Sequence, residues 1–224
     1  MNFSDCIHDS FLLMTVPEMI AVITGIASVW FARKESILVY PVGIISVLLY
    51  VYICLNVGLY ADSAINFYYF IVSIYGWYYW KHGGKFQRRE NLESEIDSVL
   101  MKEEKPLKEE AEISSNQFPV NFVIFIITLL IGFSLGYILD VFTNSTVPYW
   151  DGITTAIFLT AMWLMAKKKI ENWIYWLIGD AACVPLFLYK GLCLSSLQYL
   201  IFTILAIAGY LSWYAKLQKK STVA

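Results

Sequence analysis

Seven apolar stretches, at roughly 16–32, 36–55, 61–80, 118–140, 150–166, 172–189 and 195–215, leave this chain few possible folds. About 20 mostly apolar residues cross about 30 Å of hydrocarbon as an α-helix, which satisfies its own backbone in lipid. The reading is an all-α integral membrane protein with seven transmembrane helices. Composition agrees: 58% of the 224 residues are apolar and 15% charged, against about 45–50% and about 25% in a soluble domain. The charge is also concentrated, with 16 of the charged residues between positions 81 and 117. This composition excludes a disordered chain or a secreted disulfide scaffold, and a net charge of −2 offers nothing to nucleic acid. Cys6, Cys54, Cys183 and Cys193 share no metal or redox spacing and read as apolar packing.

The spans fall into three, one and three. Arg33-Lys34-Glu35 separates the first two, and Lys167-Lys168-Lys169 the fifth and sixth. The divisions are a short N-terminal segment (1–15), a first triplet (16–80), a charged linker (81–117), a fourth span with its loop (118–149), a second triplet (150–215) and a tail (216–224). An outside N-terminus puts 15 of the 16 Lys and Arg on the inner side, leaving only Lys190 outside. The positive-inside bias therefore places the C-terminus in the cytoplasm. Residues 1–15 lack the basic start of a signal peptide and read as an outer segment on the membrane. The linker reads as solvated, with one amphipathic piece at Leu92, Ile96 and Leu100.

The two triplets resemble each other at an offset of 133 residues. Trp30 through Glu35 parallels Trp163 through Lys168, Gly58-Leu59 parallels Gly191-Leu192, and Gly76 with Trp80 parallels Gly209 with Trp213. An odd number of spans per repeat inverts the second copy, and the single fourth span restores its direction. The repeats then run parallel about an axis along the membrane normal, as in the sugar-transporting SWEET proteins, with substrate held between the repeats.

Polar residues at membrane depth carry the functional signal. Asp180 lies nine residues past Glu171, about 13 Å into the membrane. A carboxylate there costs roughly 2.5–3.5 kcal/mol and marks a ligand site or pathway. Asn172, Trp176 and Asp180 share one helix face, with Trp173 beside them. An amide, aromatic faces and a carboxylate in one column suit a planar, polar, partly aromatic solute. Asn66, Tyr69, Ser73 and Gly76 form a second stripe on the third span, where the small residues serve either binding or close helix packing. Gln198 opens the seventh span at the position matching Ile65. Pro41 and Gly43, in Tyr40-Pro41-Val42-Gly43, and Pro185 are hinge candidates. No phosphate-binding glycine loop, metal motif or catalytic triad is present, and His8 and His82 lie outside the spans. The chain reads as no enzyme and needs no cofactor.

Three strings complete the reading: Leu59-Tyr60-Ala61-Asp62 with Ser73 through Trp80, Tyr149 through Gly152, and Glu171-Asn172-Trp173-Ile174-Tyr175-Trp176. With these the chain resembles the PnuC-type bacterial vitamin transporters, typically carriers of nicotinamide riboside, over all seven spans but not the linker. The resemblance implies a SWEET-like fold in the inner membrane, a homotrimer, and facilitated diffusion of an unphosphorylated vitamin precursor. It also implies trapping of that precursor by a cytoplasmic kinase. The family's Asn-Trp-x-x-Trp motif falls on Asn172, Trp173 and Trp176, and its third-span amide on Asn66. Two positions depart from the usual pattern: Asp180 stands where Asn is common, and Asn66 where Gln is frequent. The first departure looks like the thiamine-associated branch, so thiamine stands beside nicotinamide riboside as substrate. A membrane sensor acting through the 81–117 linker is the reading from another class.

Overall fold

The structure is a computed structural model describing residues 7, 11–12, 14–56, 58–84, 87 and 110–223. Among these, seven helices carry the fold: α1 (Val16–Arg33), α2 (Val39–Asn56), α3 (Tyr60–His82), α4 (Phe118–Phe142), α5 (Pro148–Ala166), α6 (Asn172–Tyr189) and α7 (Cys193–Val223). Four of them, α1, α2, α4 and α7 as far as Lys219, are long and apolar enough to cross a membrane by length and composition. The other three are more polar for a structural reason. They carry the inward-facing residues, and α5 alone buries Gly152, Thr154, Ala156, Phe158, Ala161, Met162, Leu164 and Ala166.

Helix ends follow local chemistry. Thr15 and Glu18 form a reciprocal capping box at α1, with Pro17 in its first turn. The α1–α2 and α5–α6 turns each end a helix with a left-handed residue, Glu35 at φ 63° and Lys168 at φ 57°. Both turns show the paired backbone bonds of a Schellman motif: Ser36 to Phe31 and Glu35 to Ala32, then Lys169 to Leu164 and Lys168 to Met165. At the opposite end of the bundle, Gly58 and Gly191 fill the same role at φ 77° and 74°. The left-handed turn at Glu35 delays α2 to Val39, three residues past the expected start. Pro41 therefore sits in the first turn of α2, where N–H groups have no intrahelical partner, and it opens the helix rather than kinking it. Pro185 lies inside α6.

The helix contacts recur at the sequence offset. α1 packs on α2, α2 on α3 and α1 on α7; the counterparts are α5 on α6, α6 on α7 and α5 on α3. Exchanging the triplets maps this set onto itself and leaves α4 outside it. α4 packs on α5, where Gly132 and Gly136 meet Gly152 so closely that a Cβ on Gly152 would lie 2.4 Å from the Gly136 nitrogen. Thr128 and Thr160 hydroxyls join the same pair at 2.9 Å.

The expected solvated linker ends differently. Ala111 and Ile113 are buried in the main core among Trp80, Ile170 and Trp213. Ala111 N–H donates to the Trp80 carbonyl, Ser114 N–H to Lys168, and Ile170 N–H back to Ser114. Residues 110–117 thus form an extended strap that ties the end of α3 to the α5–α6 turn. The amphipathic piece at Leu92, Ile96 and Leu100, and most of 1–15, lie outside the described residues. Cys54 and Cys183 are buried thiols, whereas Cys193 is disulfide-bonded rather than merely packed.

Candidate functional site

Each triplet presses an aromatic ring of its second helix against a glycine of its third. A Cβ on Gly76 would lie 2.5 Å from the Tyr40 hydroxyl, and one on Gly209 2.5 Å from the Trp173 ring. Tyr40 meets Trp80 edge-on at 5.2 Å, and Trp173 meets Trp213 edge-on at 5.5 Å. The two Trp indoles then cross over: Trp80 Nε1–H donates to the Met165 carbonyl and Trp213 Nε1–H to the Ala32 carbonyl, both at 3.0 Å. Those carbonyls lie in the last turns of α5 and α1, where each already accepts the N–H of Lys168 or Glu35 and takes the indole as a second donor. This aromatic layer closes the Lys167 end of the bundle. Trp173, 1% exposed, belongs to it.

Above the layer the two triplets differ. The column Asn172, Trp176, Asp180 on α6 has Val39, Gly43 and Val47 at the matching positions of α2. Asn172 is fully buried; its Nδ2 donates to the Lys169 carbonyl, and among the described residues its Oδ1 has no partner. Trp176 is half-buried and touches all three hydrophobic clusters of the interior. Its ring lies 5.6 Å from Phe158, and Phe158 packs so close to α6 that a Cβ on Gly179 would lie 2.5 Å from it. Asp180, 3% exposed, sits midway along α6. Among the described residues nothing hydrogen-bonds or pairs with it. Tyr69 on α3, Tyr199 on α7 and Cys183 one turn along α6 lie within electrostatic reach of its carboxylate.

The structure therefore gathers Tyr69, Trp176 and Asp180 of the sequence-derived set into one mid-bundle site. It adds Phe158, Tyr199 and Cys183. Ser73 is buried on the same helix as Tyr69, one turn toward the Lys167 end. Asn66 lies nearer the Gly58 end, where its Nδ2 donates to the Asp62 carbonyl of its own helix. Gln198 lies at the same end within reach of Tyr50. Gly43 packs on Ser28 of α1. Phe158 carried one faint signal, the glycine beside Asp180 that lets it approach. The 110–117 strap carried another in its alternation of buried Ala111 and Ile113 with partly exposed Glu112 and Ser114.

A helical bundle that encloses an unpaired carboxylate and an aromatic face at mid-height, within apolar outer walls, is a multi-pass membrane transporter. Comparison with known proteins gives its kind. The chain belongs to the nicotinamide mononucleotide transporter family, whose model matches residues 15–215, and it is a PnuC-type protein of the inner membrane. It is 27% identical over 216 residues to the nicotinamide riboside transporter PnuC of Escherichia coli (strain K12), covering 92% of this chain and 88% of that one. It is 24% identical over 209 residues to the protein of the same name from Neisseria mucosa, covering 90% and 72%. In fold it is similar to the crystal structure of the vitamin B3 transporter PnuC, with a TM-score of 0.64 at 23% identity over 89% of this chain and 81% of that one.

Proposed function

We propose that this chain carries nicotinamide riboside into the cell by facilitated diffusion. Its substrate would occupy the mid-bundle site, and the observation that supports this best is Asp180 beside the half-buried Trp176 ring. The ring suits the flat pyridinium face, and the carboxylate suits its fixed positive charge. Tyr69 and the Asn172 amide supply polar contacts, with Asn66 and Gln198 as acceptors or donors nearer the entrance. The site favours an unphosphorylated solute. A mononucleotide brings a phosphate, and no Lys or Arg lies in the middle of any of the seven described helices to meet it. Phosphorylation by a cytoplasmic kinase would for the same reason prevent return.

In this reading the N-terminus is outside, the triplets are parallel repeats in a SWEET-like 3+1+3 arrangement, and the assembly is a homotrimer. The positive-inside bias supports the orientation and the exchange of helix contacts at the 133-residue offset supports the repeat, while the homotrimer rests on the family resemblance. Pro41 and Gly43 at the start of α2, and Pro185 within α6, are the places where the triplets rock about the site.

Thiamine is the second reading, because it too carries a cationic ring and Asp180 departs from the usual Asn. Calorimetric titration of the purified protein with nicotinamide riboside, nicotinamide mononucleotide and thiamine tests both. Binding of the riboside alone upholds the proposal, binding of thiamine alone makes Asp180 a specificity residue, and preference for the mononucleotide overturns the charge argument.

A further inference from the structure

A cavity of about 270 Å³ lies away from the proposed substrate site, between α4, α5 and α6. Its walls are nearly all apolar, and three of them, Phe125, Ile174 and Ile178, are large and exposed on the outer face of the bundle. Thr128 and Tyr175 line its middle, and Asn121 and Glu171 its end nearest the Lys167 turn. In a membrane protein, an apolar groove that opens on the outer face of the bundle is a place for a hydrocarbon chain.

The polar end is incomplete. Glu171 is 7% exposed. Its Oε1 accepts from the Asn116 backbone N–H at 2.7 Å, the Ser115 hydroxyl at 2.9 Å and Asn121 Nδ2 at 3.3 Å. Its Oε2 is buried and has no partner among the described residues. Among the described residues no Lys or Arg pairs with it; the ion pairs at this end of the bundle go to Glu35. A buried carboxylate oxygen without a donor is costly, and a cation with N–H groups is what it lacks.

We propose that this groove binds a phospholipid with a primary-amine headgroup. One acyl chain would lie along Phe125, Thr128 and Ile178, and the ammonium would donate to Glu171 Oε2. An ammonium at the headgroup level and an acyl chain reaching down from it match the polar-to-apolar order of the groove. A trimethylated headgroup has the charge but no N–H, and a glycerol headgroup lacks the charge. The proposal does not depend on which solute the central site carries.

Native mass spectrometry of the full-length protein tests it, using mixed micelles with phosphatidylethanolamine, phosphatidylcholine or phosphatidylglycerol of identical acyl chains. The expected result is about tenfold greater retention of the ethanolamine lipid than of either other, the ratio one charge-assisted hydrogen bond supports. Glu171→Gln should erase that preference. Ile178→Trp, which fills the groove without touching the Glu171 network, should lower retention of all bound lipid at this site. Equal retention of the three lipids by the wild type overturns the proposal, and so does a Glu171→Gln protein that keeps the preference. A change of oligomeric state in Ile178→Trp with lipid retention unchanged also overturns it, because the groove then belongs to a second copy of the chain.

Discussion

Glu35 and Lys168 occupy matching positions of the two triplets, both in left-handed conformation, and they pair with each other at 2.9 Å. Lys168 Nζ also donates to the Ala111 carbonyl at 2.7 Å and lies 4.6 Å above the Trp80 ring, while Glu35 takes a second cation, Lys216, at 2.8 Å. One contact thus joins both triplets and the end of the linker across the closed end of the bundle. The turns at the other end use Gly58 and Gly191 instead, where a Cβ would meet nothing within 4 Å.

This pair should make stability pH-dependent. Burial pushes the Glu35 carboxyl up, but its bonds and attraction to Lys216 and Lys168 outweigh that and hold it below the ordinary 4.5. A carboxylate depressed in the fold stabilises it above the unfolded value and loses that as pH falls. Thermal unfolding should therefore worsen below pH 4.5, and less steeply in Glu35→Gln. An equally steep decline in the variant assigns the acid sensitivity to other groups.

Lys168 separates side-chain from backbone effects. Lys168→Ala should cost about 2 kcal/mol through the lost charged hydrogen bonds. Lys168→Gly loses the same bonds but relieves a left-handed conformation worth about 1–2 kcal/mol. The glycine variant should unfold at the higher denaturant midpoint of the two; the reverse order means the turn is not strained.

The two motif tryptophans should fail differently. Trp173→Ala empties a packed site and should cost about 3–5 kcal/mol of stability. Trp176→Ala should keep most of the stability yet weaken nicotinamide riboside binding by about 1–3 kcal/mol, the range for a stacked ring. Melting curves and titration of both variants check this, and full binding by Trp176→Ala moves the site elsewhere.

Asp180→Asn should weaken a cationic ligand about tenfold, the equivalent of one charge-assisted contact. Binding of the neutral, reduced form of nicotinamide riboside should be nearly unchanged. Side-by-side titration gives the ratio, and equal losses for both ligands assign Asp180 a structural role only.

Gly76→Ala and Gly209→Ala should destabilise by similar amounts, about 1–3 kcal/mol each, because each adds a methyl against a fixed ring. Unfolding midpoints that differ widely contradict the matched packing of Tyr40 and Trp173.

The sequence by itself determined the membrane fold, because seven apolar runs admit no soluble core and Lys and Arg mark the turns between them. It also determined the repeat, since Gly, Trp and the charged turns recur at one spacing, and it singled out Asp180, whose cost in lipid demands a reason. It could not separate Trp173 from Trp176, because neighbours on a helix diverge only once their partners are known. Gly209 and Trp213 bury the first, while Phe158 and Asp180 flank the second. Nor could it reveal that the ends of the repeat close on each other through Glu35 and Lys168, or that Ala111 and Ile113 return to the core. Those contacts join residues distant in the chain, and only the packing of one triplet on the other brings them within bonding distance.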